Sequence, residues 1–185
     1  RDVFWSAAPE WLAQAKPTSD GGNSLLLSFI QEIDMCIDKT LSRLKDGYQI
    51  DAFLWHQGES DYAKSKDYYR NLKTMVAYVR MHLTEKTGKD YSRLPFIFGT
   101  VARSNKYFSR EVENAMKQLA AEDPNMHLID MSGAELLNDR LHFTAHSAEY
   151  LGQQVYKQLE QIIKGVTVRT DELKGNVWEL LEIVM

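Results

Sequence analysis

The fold is decided by residues 50–61, which read Ile-Asp-Ala-Phe-Leu-Trp-His-Gln-Gly-Glu-Ser-Asp. The first half is short and mostly apolar, which is typical of a β-strand buried on both faces of a sheet. The second half turns polar at once, from His56 onward. The stretch therefore predicts a buried strand over 50–55 that ends in a loop of polar side chains over 56–61.

Helical and apolar patterns alternate on both sides of this stretch. Apolar residues at helical spacing predict four helices, over about 24–44, 62–82, 109–121 and 145–163. Short apolar runs predict two more strands, over 94–101 and 127–131. Strands that alternate with amphipathic helices indicate an α/β fold, with a parallel sheet covered by helices on both faces. The active site of such a sheet lies outside the carboxyl ends of its strands. The loops at those ends are 56–61, 102–106 and 132–142.

The composition is that of an ordinary globular domain. The chain has 185 residues, of which 44% are hydrophobic and 26% charged, so it can bury a sizeable core. Cys36 is the only cysteine, which excludes a disulfide scaffold. The net charge of -4 does not favour a nucleic-acid surface, and no stretch approaches the ~20 apolar residues of a membrane span. We expect one domain over 1–164 and a tail over 165–185, with the spacing of a short amphipathic helix over 176–185.

The first candidate site is the polar loop that follows the predicted strand. The Gln57 amide can donate a hydrogen bond to an oxyanion, and Gly58 allows the backbone to approach a ligand and donate its N–H. The alternative is an ordinary turn between a strand and a helix. In that case Ser60 or Asp61 caps the next helix.

The second candidate site is Asp139-Arg140-Leu141-His142, which follows the last predicted strand. An offset of three residues in a loop can bring the Asp139 carboxylate to Nδ1–H of His142. Such a hydrogen bond fixes the tautomer of the ring and leaves Nε2 free as a general base. We therefore predict this hydrogen bond. We also predict that Gln57, Glu59, Asp139 and His142 converge on one cleft at the carboxyl edge of the sheet.

A different interpretation makes Ser60 the nucleophile of a hydrolase. The stretch Gly-Glu-Ser-Asp-Tyr partly matches a nucleophile elbow, and the order Ser60, Asp139, His142 is the order of α/β-hydrolases. However, Asp61 and Tyr62 would crowd that strained turn. We expect instead that Ser60 caps a helix, with its Oγ turned back to a backbone N–H.

Two further interpretations use the same loops. A glycosidase would pair Glu59 with Asp61 or Asp139, but the sequence does not fix the separation of those carboxylates. A zinc site has no recognised ligand spacing here. Its ligands would be His56, His142 and His146.

Taken together, the two candidate sites resemble a known family. Residues 53–61 resemble the W-x-Q-G-E-x-D block of the SGNH hydrolases, in the carbohydrate esterase branch of sialate O-acetylesterase-like and acetylxylan esterase-like proteins. Residues 139–144 resemble the D-x-x-H block that ends that family's domain, and Gly152-Gln153-Gln154 fits the helix that follows. The resemblance covers about 23–161.

The resemblance implies a fold, an activity and site residues. The fold would be a three-layer α/β/α sandwich with a parallel sheet, similar to flavodoxin. His142 would be the general base, Asp139 its orienting partner, and Gln57 part of the oxyanion hole. Gln57, Gly58 and Glu59 would bind the substrate, with Glu59 shaping the floor of the pocket. The reaction would be the hydrolysis of an acyl ester, such as an acetyl ester, on a carbohydrate, without a metal or an organic cofactor.

One feature of the family has no match in this sequence. The family's nucleophilic serine lies in a G-x-S-N block after the first strand, and Gly22-Asn23-Ser24 is only superficially similar. We therefore expect the first strand or strands and the nucleophile to be encoded upstream of Arg1, and we expect this chain alone to be inactive. The alternative is a glycan-binding or SGNH-like protein without a nucleophile. The resemblance suggests a bacterial protein that is periplasmic or secreted, and it predicts no oligomeric state.

Overall fold

The computed structural model describes residues 5–174, and the side chains of residues 5–165. The helices are α1 (Pro9–Leu12), α2 (Leu25–Lys39), α3 (Tyr68–Thr87), α4 (Arg110–Glu122) and α5 (Ala145–Lys174). The strands are β1 (Phe53–Trp55), β2 (Phe96–Gly99) and β3 (Met126–Ile129). Short 3-10 helices cover Thr18–Asp20, Leu41–Arg43 and Glu59–Asp67. Among the described helices, none has the length and apolarity needed to cross a membrane.

The three strands form one parallel sheet in the order β1-β2-β3. Phe53 lies beside Phe96, and Phe96 beside Met126, so the first residues of the three strands are in register. Because they are parallel, their carboxyl ends meet at the same edge. The sheet therefore brings together the three loops in which the sequence places the chemistry.

Helices cover both faces of the sheet, as the sequence predicts. Phe96 and Phe98 on β2 point to the face covered by α2, α3 and α4, where the larger core lies. Ile97, between them, points to the opposite face and packs with the apolar side of α5. This alternation follows from the two-residue period of a strand. The result is three layers, helix, sheet and helix.

Some predictions about the elements are wrong in detail. The first strand covers Phe53–Trp55 rather than 50–55, and it is not buried on both faces, since Leu54 is 55% exposed. The helix expected from Tyr62 begins only at Tyr68, because residues 59–67 form a 3-10 segment with non-helical dihedral angles at Lys64. The helix expected to end at 163 continues to Lys174 through Gly165. An isolated glycine costs a helix only about 1 kcal/mol, so it need not end one. The predicted helix over 176–185 lies outside the described residues.

Candidate active site

Gly58 lets the loop after β1 pack against the core. Its φ is +156°, and a Cβ atom there would lie 2.9 Å from Val101 Cγ2 and 3.0 Å from Met116 Cε. A side chain is therefore excluded both by the available space and by the backbone conformation. This close packing fixes the backbone between Gln57 and Glu59, two of the residues that the sequence assigns to the site.

The Gln57 side chain is held by a carboxylate four residues further along the chain. Its Nε2 donates a hydrogen bond to Asp61 Oδ2 at 2.5 Å, and its backbone carbonyl accepts one from the Tyr68 hydroxyl at 2.9 Å. An amide nitrogen carries two N–H donors, so one remains after the bond to Asp61. Sequence reasoning missed this role of Asp61. The four-residue spacing within one motif was the signal that could have revealed it.

Gln57 also lines a cavity of about 430 Å³ beside β1. The cavity walls are mostly apolar and come from the N-terminal segment, β1, α2 and α3. Trp5 meets Trp55 edge to face in this wall, with their ring centroids 4.8 Å apart. Neither Glu59 nor His142 lines this cavity. The cavity therefore extends the site on the Gln57 side only.

Glu59 and His56 form a pair on the other side of this loop. Glu59 Oε1 lies 3.6 Å from His56 Nε2. Burial alone would raise the pKa of Glu59, but its hydrogen bonds with His56 and with backbone N–H groups outweigh burial and lower it. Glu59 is therefore an ionised carboxylate at neutral pH. The His56 ring also packs against the Phe143 ring, with centroids 4.9 Å apart.

Asp139 and His142 form the hydrogen bond that the sequence predicts. Asp139 Oδ2 lies 2.5 Å from His142 Nδ1, and Asp139 Oδ1 accepts the backbone N–H groups of Leu141 at 2.9 Å and His142 at 3.1 Å. These bonds, the one to the His142 ring first, lower the pKa of Asp139 to about 2. The His142 side chain is 70% exposed, and its Nε2 has no partner among the described residues. In this geometry Nε2 would be able to accept a proton while the carboxylate holds the ring.

The three loops at the carboxyl edge of the sheet contact one another. The backbone N–H of Lys106, after β2, donates to the carbonyl of Arg140, after β3, at 3.0 Å. Tyr62, after β1, packs against Tyr107 with centroids 4.9 Å apart. The His56 ring, after β1, also packs against the Phe143 ring, after β3. The loops are therefore neighbours, whereas the convergence of the four predicted side chains on one cleft stays a prediction.

Ser60 and Ser24 are the two serines that bear on the nucleophile. Ser60 lies inside the 3-10 segment, and Gly58 precedes that segment without any side-chain cap. The prediction that Ser60 or Asp61 caps the next helix is therefore wrong, because the N-cap of the 3-10 segment is Gly58 and that of α3 is Asp67. Ser60 and Asp61 instead line the cavity beside β1. Ser24 is fully buried, and its Oγ accepts the backbone N–H of Leu27 at 3.1 Å as the N-cap of α2.

The described residues do not form the hypothetical zinc site. Among them, no group of three or more His, Cys, Asp or Glu side chains is arranged to hold a metal ion. His146 instead lines a separate cavity of about 450 Å³ with Asp130 and Tyr150, at the end of β3.

Comparison with known proteins identifies the family. The family model described as carbohydrate esterase, sialic acid-specific acetylesterase matches residues 17–161. The chain belongs to this family. A protein of Arabidopsis thaliana named as a probable carbohydrate esterase is 29% identical over 119 residues, which are 63% of this chain and 42% of that protein. This relative is a plant protein, so it gives the expected bacterial source no support.

A solved structure shares the fold. The X-ray structure of a protein from Arabidopsis thaliana matches 86% of this esterase-family chain with a TM-score of 0.60 and 22% sequence identity, and the match covers 56% of that protein. The chain thus spans about half the length of the relatives that it matches. The predicted family and the α/β fold with a parallel sheet are confirmed.

Proposed function

We propose that this chain carries the general base and part of the oxyanion hole of a serine-type carbohydrate O-acetyl esterase. The observation that carries the proposal is the Asp139–His142 hydrogen bond, with Nε2 of the ring open to solvent. Membership of a carbohydrate esterase family supports the same chemistry. The substrate class is an acylated carbohydrate, and the reaction requires no cofactor.

In the proposed mechanism a serine hydroxyl attacks the carbonyl carbon of the ester. Nε2 of His142 accepts the hydroxyl proton, and the ionised Asp139 stabilises the imidazolium that forms. The free N–H of the Gln57 amide and a backbone N–H donate to the tetrahedral oxyanion, each donor contributing roughly 3 kcal/mol. His142 then returns the proton to the departing sugar hydroxyl. Water, activated by the same histidine, releases acetate from the acyl-serine.

The nucleophile in this proposal is a serine encoded upstream of the chain. The burial of Ser24 and its cap bond to Leu27 support this, because that serine cannot reach a substrate without unfolding the start of α2. The sequence upstream of Arg1 is the first observation to make. A G-x-S-N stretch after an apolar strand supports the proposal, and the absence of such a stretch opposes it.

The direct test is acetate release from an acetylated oligosaccharide by the protein that contains this chain. We expect His142→Ala to lower kcat/KM by about 10²- to 10⁴-fold, the range for a general base. His146→Ala is the matched control, because that exposed histidine lies four residues away and lines a different cavity. Equal rates for the two variants would contradict the proposal.

A glycan-binding protein without catalysis is the second candidate function. The observation that favours it is the cavity beside β1, where Trp5 and Trp55 accompany the Gln57 amide. Titration with acetylated and deacetylated forms of one oligosaccharide, followed by calorimetry, separates the two functions. Binding without any His142-dependent acetate release favours the second function.

A further inference from the structure

The loop after β2 holds the backbone of the turn that carries Asp139 and His142. Besides the Lys106–Arg140 backbone bond, the Arg140 guanidinium donates to the carbonyl of Ser104 at 3.3 Å. Arg140 itself has a left-handed φ of +55°, which a non-glycine residue rarely adopts. A turn with this conformation needs support from its neighbours.

Asn105 supplies side-chain support for this turn. It is only 5% exposed. Its Nδ2 donates to the carbonyl of Leu141 at 3.2 Å, and its Oδ1 accepts the backbone N–H of Tyr107 at 2.9 Å. Among the described residues, no other side chain from outside the turn forms a hydrogen bond with the backbone between Asp139 and His142. Both ends of this buried amide are therefore used, and losing either bond leaves a polar group unpaired.

The carbonyl that Asn105 holds belongs to a peptide unit that also binds Asp139. In the peptide between Leu141 and His142, the C=O accepts from Asn105 and the N–H donates to Asp139 Oδ1 at 3.1 Å. Asn105 thus fixes the plane of a group that orients the carboxylate. Hydrogen bonds in series also polarise one another, which strengthens each.

The exposure of the Asp139–His142 pair makes this support necessary. The side chain of His142 is 70% exposed and that of Asp139 is 42% exposed. Packing against the core therefore restrains these side chains little, and hydrogen bonds must set their geometry.

We propose that Asn105 is a positioning residue that holds the Asp139–His142 pair in its hydrogen-bonded geometry through the Leu141–His142 peptide. The proposal assigns Asn105 no contact with the substrate. It rests on the proposed function only in that the pair is the catalytic base of an esterase.

The test compares two variants of the 185-residue chain by NMR. Asn105→Ser keeps an oxygen that can accept the Tyr107 N–H, but its side chain is too short to reach Leu141. Thr100→Val is the matched control. It removes a buried side-chain bond, from the Met131 N–H to Thr100 Oγ1 at 2.8 Å, at the same edge of the sheet without touching the turn. Both variants are expected to lower the unfolding temperature.

The deciding measurements are the titration of the Asp139 carboxyl carbon and the low-field proton signal of His142 Nδ1–H. In Asn105→Ser we expect the pKa of Asp139 to rise from about 2 toward its ordinary value of 3.8, and the proton signal to broaden or vanish. In Thr100→Val we expect both to match the wild type. Unchanged signals in Asn105→Ser, or equal changes in both variants, would overturn the proposal.

These measurements need no turnover, so they separate this proposal from the proposed function. If the Asp139 titration shifts but His142→Ala leaves acetate release unchanged, Asn105 positions the pair and the pair is not catalytic. In the active protein we expect Asn105→Ser to lower kcat about tenfold and to leave KM unchanged, since only the orientation of the base changes.

Discussion

Asp139 holds the ring of the proposed base, His142, through the hydrogen bond to Nδ1. Its pKa of about 2 keeps the carboxylate ionised from about pH 3 upward. We expect Asp139→Asn to lower kcat/KM by about tenfold to a thousandfold, because an amide neither fixes the ring tautomer nor stabilises the imidazolium. The measurement is the rate of acetate release between pH 5 and pH 8.

Asp130→Asn is the control for that substitution. Asp130 lies on the same loop after β3, and its carboxylate accepts the backbone N–H of Ser132 rather than a histidine. This variant should retain the wild-type rate. If both variants lose activity equally, or neither does, the orienting role of Asp139 is wrong.

Gly58 has no room for a side chain, so a substitution there should destabilise the protein. We expect Gly58→Ala to lower the free energy of unfolding by about 2–4 kcal/mol, since the new methyl group meets Val101 and Met116 and the backbone is strained. Urea denaturation followed by circular dichroism measures this loss.

Gly47→Ala is the control, because it strains the backbone without bringing the new methyl group against any neighbouring atom. Gly47 has a φ of +74°, but nothing lies within 4 Å of a Cβ atom there. That variant should lose only about 1 kcal/mol. A Gly58→Ala loss no larger than this would mean that the loop moves away from the core at little cost.

The order and type of the elements could be predicted from the sequence, but some of their ends could not. A strand before the polar loop and the helix that begins after Ser24 follow from apolar spacing and a capping residue, although the strand covers only Phe53–Trp55 and is not buried as predicted. The 3-10 segment from Glu59 to Asp67 was not predictable, because its course depends on the Gly58 contacts and on the bond between Asp61 and Gln57.

In the candidate site, too, some contacts could be predicted from the sequence and others could not. The Asp139–His142 bond was predictable, because both residues lie within three positions of one loop. Asn105 was not, because its partner Leu141 is 36 residues away and is brought near only by the pairing of β2 with β3. Local spacing thus reveals a bond within a loop, whereas a contact between loops requires the fold.

Arg80 ties α3 to the loop before β3 and makes stability depend on pH. Burial alone would raise the pKa of Asp123, but hydrogen bonds from Arg80 Nη1, at 2.6 Å, and from Asn125 outweigh it and lower the pKa. A lowered pKa adds stability that is present above the ordinary value of 3.8 and is lost as the pH falls through the folded-state value.

We therefore expect Arg80→Met to lower the free energy of unfolding by about 2 kcal/mol at pH 7, and by less near pH 3. Urea denaturation at the two pH values measures the difference. Arg70→Met is the control, since the Arg70 and Asp67 side chains are 75% and 50% exposed and the pair should contribute little. A loss for Arg80→Met that does not depend on pH would contradict the role of Asp123.

For the whole molecule, the two hypotheses about the nucleophile predict different activities. If the serine lies upstream, the 185-residue chain hydrolyses p-nitrophenyl acetate no faster than its His142→Ala variant. If Ser60 is the nucleophile, the chain shows turnover that both Ser60→Ala and His142→Ala abolish. We expect the first result, because Ser60 lies in an irregular 3-10 segment rather than at a sharp turn between strand and helix.

The position of β1 has a consequence for how the isolated chain behaves in solution. In the described sheet β1 pairs with β2 alone, so the other edge of β1 presents backbone N–H and C=O groups without a strand partner. Leu54, in the middle of this strand, is 55% exposed. An open strand of this kind is a template on which other chains can add. At high concentration the purified chain should therefore self-associate edge to edge. The Leu54→Lys variant should stay monomeric, and sedimentation of both proteins at the same concentration measures the difference. Equal association of the two would contradict this role of the β1 edge.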